Sequence, residues 1–413
     1  MKKILLIILD GLSDRPIPEL GNRTPLQVAK MPNFNKLAQK AALGTHNAMP
    51  IAKEYPTSDE AHFEILGYDY RTYLPGRGVL EALGLGLDLG KRELALRVNF
   101  GTVDDSLKVI DPRAGNIKDV RSLTAAIGER KIGDFIFKLY PGLLHRAVLT
   151  ISGPAVSKEI YHHSTIVSDT DPHKAKNHRG GDKVLKPGPI DSSPEAALTA
   201  EALWKYQLET HKILNDQVEN KVRQRQGLLP ANFLLTRGAG FIDEVPNFQK
   251  KYNLSAACVA GGHLYKGIGR YLGMDVFDIP GATADEHTNI DAKVKKSLAL
   301  LRSGYDFVFM HVKAPDLISE ETGDFEEEIS FFERLDKSFA PFLKFDGVLC
   351  ITGDHTTPCI LKDHSTDPVP MMIIGGERDA IPKFDEVVVK KGSLGHLQGR
   401  DIMPKLLEEA KSA

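Results

Sequence analysis

Short, continuously apolar runs recur along the chain, separated by longer stretches with helical spacing of apolar positions. ILLIIL (4–9), NFLLT (232–236), AACVAG (256–261), DFVFMHV (306–312), GVLCIT (347–352) and VPMMIIGG (369–376) all have strand length. Strands apolar at every position, rather than at alternate ones, belong to a sheet covered by helices on both faces. The pattern predicts an α/β core with a central, mostly parallel sheet. Most of these runs end in polar residues: Asp10, Thr236-Arg237, Lys313 to Asp316, and Gly353-Asp354-His355. Ligands of open α/β sheets sit at the carboxyl ends of the strands, so residues far apart in sequence are expected to converge on one edge.

From about 90 to 190 the pattern changes to short alternating segments, LALRVNFGTV, LKVIDPRAG, FIFKLYPG and HRAVLTISG, punctuated by Gly and Pro. Such segments read as a small α+β unit built on hairpins. A basic loop, DPHKAKNHRGGDK (171–183), and a helical stretch, PEAALTAEALWKYQLETHKILND (194–216), follow. The expected organisation is a core of residues 1–88 and 191–413, interrupted by a cap domain at 89–190, with the helix after 194 leading back into the core.

The opening MKKILLIILDG resembles a signal peptide, but its apolar run is short and ends in Asp10-Gly11 without a small-residue cleavage pattern. A buried first strand is the expected reading. No run approaches the roughly 18 apolar residues of a membrane helix, and a cytoplasmic location is the default expectation. At 413 residues, 42% hydrophobic and 26% charged, the composition is that of an ordinary globular protein. The formal net charge of -2 gives no global attraction to nucleic acid or anionic membrane, so any phosphate must be recognised locally. Three cysteines, Cys258, Cys350 and Cys359, are too few for a disulfide framework or a cysteine zinc site.

The densest candidate chemistry is ITGDHTTPCILKDHSTDPVP (351–370), with Asp354-His355 and Asp363-His364. Carboxylates beside imidazoles suit a divalent metal, although acidic turns use the same residues. Asp10 reads as a metal ligand or as a helix cap. In PTSDEAHFEILGYD, Thr57-Ser58-Asp59-Glu60 opens a helix as a capping box. The same geometry points the Ser58 hydroxyl where helix N–H groups favour a phosphate.

Taken together, ILLIILDGLSDRPIPELGNRTPLQVAKMPNFNKLA, SDEAHFEILGYD, GRGVLEALGLGL, SDTDPHK, LPANFLLTRGAG, KGIGRYLGMDV, HVKAPD, TGDHTTPCILKDHSTDPVP and GRDIMP resemble the archaeal-type cofactor-independent phosphoglycerate mutases of the alkaline phosphatase superfamily. The resemblance runs through essentially the whole chain. It implies two divalent ions, usually manganese, with magnesium, cobalt or zinc as alternatives, and a serine that carries the phosphoryl group between two hydroxyls of glycerate. It assigns Asp10, Ser58, Asp354 and His355 to one ion. The other receives Asp316, His364 and the residue four after Asp316, leaving Asp363 a supporting or structural residue. The family has histidine at that last position, whereas KAPDLISEETGDF places Glu320 there. Glu320 either ligates, favouring harder ions than zinc, or faces solvent with the neighbouring glutamates.

Candidate clamps for the substrate's phosphate and carboxylate are Arg77, Arg113, Arg237 and Lys266, since guanidinium forks match oxyanions. Each has the alternative of a surface charge or structural ion pair. His173 and His62 are candidates for proton transfer or substrate contact, while His311 and the His287 loop could supply a missing ligand. GGHLYKGIGR matches neither nucleotide-loop pattern, and His396 reads as a loop residue. The function implied is interconversion of 3-phosphoglycerate and 2-phosphoglycerate. Alternatives are a related phosphotransferase, homoserine-kinase-like, a phosphomonoesterase, or a descendant with an impaired second metal site. The expected partner is the small phosphoglycerate, with no nucleic acid or membrane; the oligomeric state stays open.

Overall fold

The structure, a computed structural model, describes residues 1–49, 56–154, 156, 166–172 and 181–411. In chain order its strands are β1 (Ile4–Leu9), β2 (Ala41–Asn47), β3 (Glu93–Val103), β4 (Val109–Asp111), β5 (Arg130–Ile132), β6 (Phe135–Pro141), β7 (Arg146–Ser152), β8 (Phe233–Phe241), β9 (Ala256–Val259), β10 (Asp275–Val276), β11 (Phe307–Val312), β12 (Val348–Thr352), β13 (Val369–Ile374) and β14 (Gly395–Gln398). They fall into two compact units, one of Met1–Leu74 with Val245–Ala413 and the other of Pro75–Glu244.

The first unit is an eight-stranded sheet in the order β10-β9-β11-β1-β12-β13-β2-β14. β1 runs parallel to β11 and β12 on either side, and every one of its residues is buried. Leu5, Ile7 and Leu9 join Val308, Met310 and Val312 of β11 and helical residues such as Phe331, Leu335 and Phe339 in one core. A large aliphatic side chain buried this way contributes about 1.5–3 kcal/mol, which explains the unbroken apolar runs at the sheet centre. β13 is the departure: it pairs antiparallel with β12 and β2.

The second unit is a six-stranded antiparallel sheet, β4-β3-β7-β6-β5 with β8 also paired to β3. Two expectations are corrected here. NFLLT belongs to β8 in this sheet, not to the parallel core, and the unit spans Pro75–Glu244 rather than 89–190. The first residues of β8 are apolar without alternation because both faces of the strand are covered there: Leu234 enters the main core of the unit, as does Phe241 at the far end, while Phe233 and Leu235 pack with Val103, Val109 and Val184. An antiparallel strand covered on both sides carries the same signature as a parallel one. The helix Pro194–Asp216 lies on this core through Ala196, Ala200, Leu203, Tyr206 and Leu214, so it belongs to the second unit.

Candidate active site

Three neighbouring parallel strands end level with one another in the first unit. Leu9 stands opposite Val312 of β11, and Ile8 opposite Thr352 of β12. Asp10, Lys313 and Asp354, just beyond those ends, therefore emerge together. The Asp10 N–H donates to the Val312 carbonyl at 2.9 Å, and the Asp316 N–H to the Asp10 carbonyl at 2.9 Å. This second bond brings the short helix Ala314–Leu317 against Asp10. Gly11 has φ +67, and a Cβ there would stand 2.7 Å from the Asp316 Cα and 2.8 Å from the Thr357 hydroxyl oxygen. Only glycine lets these loops approach so closely.

Two groups of donors result. Asp10, Asp354 and His355 place one ligand atom each within 4.8 Å of one another, as do Asp316, His355 and His364. Ser58, the first residue of the helix Ser58–Ile65, places its Oγ 3.2 Å from His355 Nε2. His355 and His364 stack with centroids 3.6 Å apart. A pocket lined by Asn47, Met49, Pro56, Asp354, His355 and Asp367 lies against these donors.

Hydrogen bonding fixes where the imidazole protons sit. Thr357 donates its hydroxyl proton to Asp316 Oδ1 at 2.7 Å, so the contact of 3.0 Å from His355 Nδ1 must be donated by the imidazole. Nε2 of His355 is then left with its lone pair 3.2 Å from Asp354 Oδ2 and 3.4 Å from Asp10 Oδ1. His364 likewise donates from Nδ1 to the Pro56 carbonyl at 2.7 Å and turns Nε2 to Asp316 Oδ1 at 3.3 Å. A lone pair facing a carboxylate oxygen is repulsive unless a proton or a cation stands between them. Asp354 Oδ2 is moreover buried without a hydrogen-bond partner. These donors, hard oxygens with imidazole nitrogens oriented by a second set of hydrogen bonds, fit a divalent ion.

The electrostatics show the same excess of negative charge. Burial, the largest influence, would raise Asp10, but Lys313, His311 and His355 together outweigh it and hold the carboxyl well below its ordinary range; Asp316 behaves alike, with Lys313 and His364 opposing burial. Asp354 goes the other way, raised by burial and by the charge of Asp10. Burial and the neighbouring His364 push His355 down, whereas His364 itself rises to about 9 because Asp316 outweighs its burial. Lys313 stands 3.2 Å from Asp10 and also pairs with Asp316. It went unassigned in the sequence, although it lies between the strand end and Asp316 in HVKAPD. Two more groups close on Asp10: the Tyr265 hydroxyl donates to it, and His311 Nε2 lies 3.1 Å away.

The remaining expected residues are scattered. The cap of the Ser58 helix is Thr57, which hydrogen-bonds to the Glu60 carboxylate at 2.5 Å. His62 is buried, donates from Nδ1 to the Ser58 carbonyl at 2.6 Å, and is pushed down to about 4 by burial. Glu320 lies in the turn Ile318–Thr322 outside the 4.8 Å group of Asp316, yet its charge raises both Lys313 and His364. Lys266 is bound to Asp278 at 2.6 Å. Asp363 accepts the His364 N–H at 2.9 Å, a turn contact. His173 lies outside the described residues.

Arg77, Arg113 and Arg237 belong to the second unit, where they join a buried cationic cluster that also contains Arg97, Arg146 and His145. Arg97 of β3 is directly opposite Arg237 of β8. Burial, then Arg237, Arg77 and Arg146, push Arg97 well down, and burial with Arg77 lowers Arg237 to about 10. The Nε atoms of Arg97 and Arg237 and both ring nitrogens of His145 are buried without hydrogen-bond partners. Glu81, 3.6 Å from Arg77, and Asp169 and Asp171 beside Arg237 offset part of this charge; like charges facing across a strand pair are destabilising, so the remaining excess is suited to an oxyanion.

The comparisons agree with this geometry. The profile of the metalloenzyme superfamily matches residues 2–409. A 2,3-bisphosphoglycerate-independent phosphoglycerate mutase of Thermoplasma volcanium is 40% identical over 418 residues, covering 100% of this chain and 98% of that protein. One of Pyrococcus abyssi is also 40% identical, covering 98% and 97%. Among solved structures, a cofactor-independent phosphoglycerate mutase of Thermoplasma acidophilum has 36% identity and a TM-score of 0.66 over 99% of this chain and 100% of its own. A protein of Pyrococcus horikoshii has 34% identity and a TM-score of 0.82 over 100% and 98%. With the matched profile, the full-length relatives and two donor groups at the strand ends in hand, the chain belongs to the metalloenzyme superfamily, in its family of 2,3-bisphosphoglycerate-independent phosphoglycerate mutases.

Proposed function

We propose that the chain interconverts 3-phosphoglycerate and 2-phosphoglycerate through a phosphoserine at Ser58, in the cytoplasm. The observation that carries the reading is Ser58 Oγ at a helix start, 3.2 Å from His355, the residue shared by both donor groups. Asp10, Ser58, Asp354 and His355 would hold one divalent ion, and Asp316 and His364 the other, manganese being the leading candidate. Ions held there supply neutralisation of the phosphoryl charge and make the serine hydroxyl a competent nucleophile at neutral pH. The backbone N–H groups of the first turn of Ser58–Ile65 donate to the phosphate once it is on Ser58. Lys313 balances the carboxylates that face it. His62 positions the first turn through its bond to the Ser58 carbonyl. The guanidinium groups of Arg77, Arg97, Arg146 and Arg237, with Arg113 close by, hold the substrate's carboxylate and phosphate through paired hydrogen bonds.

The test is conversion of 3-phosphoglycerate to 2-phosphoglycerate by manganese-loaded protein without added bisphosphoglycerate. Product that disappears in Ser58→Ala supports the reading; free phosphate alone makes the protein a phosphomonoesterase, and turnover that requires ATP and homoserine makes it a kinase. A second reading rests on Glu320, which stands outside the Asp316 group: a second ion held by fewer donors and bound more weakly. Glu320→His tightens that ion if the reading holds and leaves metal content and rate unchanged if it does not.

A further inference from the structure

A third buried donor cluster takes no part in the chemistry above. Asp14 follows β1, Cys359 lies two residues beyond Thr357, and Glu328 is on the helix Phe325–Phe339; one ligand atom from each falls within 4.8 Å of the others. Cys359 Sγ is 3.1 Å from Glu328 Oε2 and 3.6 Å from Ser319 Oγ, and the Cys359 N–H donates to Asp14 Oδ2 at 3.1 Å. A third carboxyl group, Glu386, accepts the Asp14 N–H at 3.2 Å and the Thr24 hydroxyl at 2.8 Å.

The cluster has little counter-charge: Arg15 acts on Asp14 from a distance, against a larger effect of burial. Among the described residues no lysine or arginine side chain hydrogen-bonds to Asp14, Glu328 or Glu386. Glu328 is fully buried, and its second oxygen, Oε1, has no hydrogen-bond partner. Burial and the charges of Asp14 and Glu386 raise Glu328, and burial raises Glu386 to about 7. Fully buried carboxyl groups are rarely left in this condition: they are paired, protonated or bound to a metal. A cysteine among them narrows the last case, because a thiolate selects borderline and soft ions over magnesium or calcium.

We propose that Asp14, Glu328 and Cys359 form a structural site for a borderline divalent cation such as zinc or cobalt, distinct from the two donor groups around Ser58. Binding releases the thiol proton and any carboxyl protons to solvent. All three protein donors are buried, which closes the cation off from substrate. The site ties together two segments that serve the candidate active site. Ser319 stands three residues after Asp316, and Thr357, two before Cys359, donates to the Asp316 carboxylate. A cation here would hold Asp316 in register without touching substrate.

The experiment is titration of metal-stripped, full-length protein with Co²⁺, followed by near-ultraviolet absorption. The donor groups around Ser58 contain no cysteine, and among the described residues neither Cys258 nor Cys350 belongs to a group of metal donors. A thiolate-to-cobalt charge-transfer band therefore reports the Cys359 cluster. We expect the band in the wild type and in Ser58→Ala, its loss in Cys359→Ser, and cobalt affinity lower by about 10- to 100-fold in Glu328→Gln. The proposal is overturned if the wild type shows no band, or if the band survives in Cys359→Ser. Should Cys359→Ser fail to fold, unchanged affinity in the near-isosteric Glu328→Gln overturns it as well. Because Ser58→Ala keeps the band, failure of the mutase reading and failure of this one are told apart.

Discussion

Each unit buries a crowd of like charges, and the two crowds have opposite sign. In the first unit Asp10, Asp316 and Asp354 converge with Lys313 as the ammonium among them. In the second, Arg97 faces Arg237 across a strand pair, with Arg77, Arg146 and His145 around them. Neither crowd follows from packing, since hydrophobic residues of similar volume would be cheaper to bury. On the proposed reading both are halves of an interaction, one set of side chains suited to cations and the other to an oxyanion. The sign of the buried excess thus names the class of ligand before any ligand is seen.

The largest expected effect comes from removing Ser58, the proposed nucleophile beside the anionic cluster. Ser58→Ala should lower phosphoglycerate mutase turnover on the order of 10⁴-fold or more, in steady-state assays. Retention of more than a tenth of the rate would remove Ser58 from the chemistry. Next, Asp354→Asn should act oppositely on the two states of the protein. With the ions bound it should cost about 3 kcal/mol or more as a lost ligand beside a buried charge. After chelation it should leave melting temperature unchanged or higher, because it removes a carboxyl raised by burial and by Asp10. Equal destabilisation with and without chelator would break the comparison.

The cationic cluster gives the mirror experiment. Arg97→Met removes one of several crowded guanidinium groups, so the melting temperature without substrate should hold or rise. The apparent KM for 3-phosphoglycerate should increase by about 10- to 100-fold, the worth of a charge-assisted hydrogen bond. The last expected effect concerns a buried lysine. Lys293 bonds to the carbonyls of Thr283 and His311, and burial pushes its ammonium from 10.5 down to about 7. Its folded pKa is depressed, so between pH 7 and 10.5 the unfolded chain binds more protons and stability rises with pH, falling again as pH drops towards 7. Melting temperatures across that window should climb less in Lys293→Met than in the wild type.

Much of the anionic site was legible in the chain because each donor follows an apolar strand or opens a helix. Asp10, Asp316, Asp354 and His355 lie just past β1, β11 and β12, and Ser58 at the start of its helix. The cationic site was only partly legible. Arg77, Arg113 and Arg237 stood out beside Gly and Pro, but Arg97 and Arg146 sit in strands where arginine ordinarily faces water. Lys313 was overlooked for a similar reason, as a lysine in a loop gives no sign of being buried between two carboxylates. The placement of NFLLT failed because burial on both faces erases the alternation that separates antiparallel from parallel strands.

The sequence by itself determined the chain's periodic elements, their polar ends and the family resemblance, since these depend on local spacing of residue types. Only the tertiary structure decided which strands are neighbours, and hence that Arg97 meets Arg237 and that Glu320 falls outside the donors around Asp316. It also brought Asp14, Glu328 and Cys359 together from three separate segments. Such meetings depend on strand order and on hydrogen bonds between distant loops, and a carboxyl or guanidinium group carries no local mark of the neighbours that folding will give it.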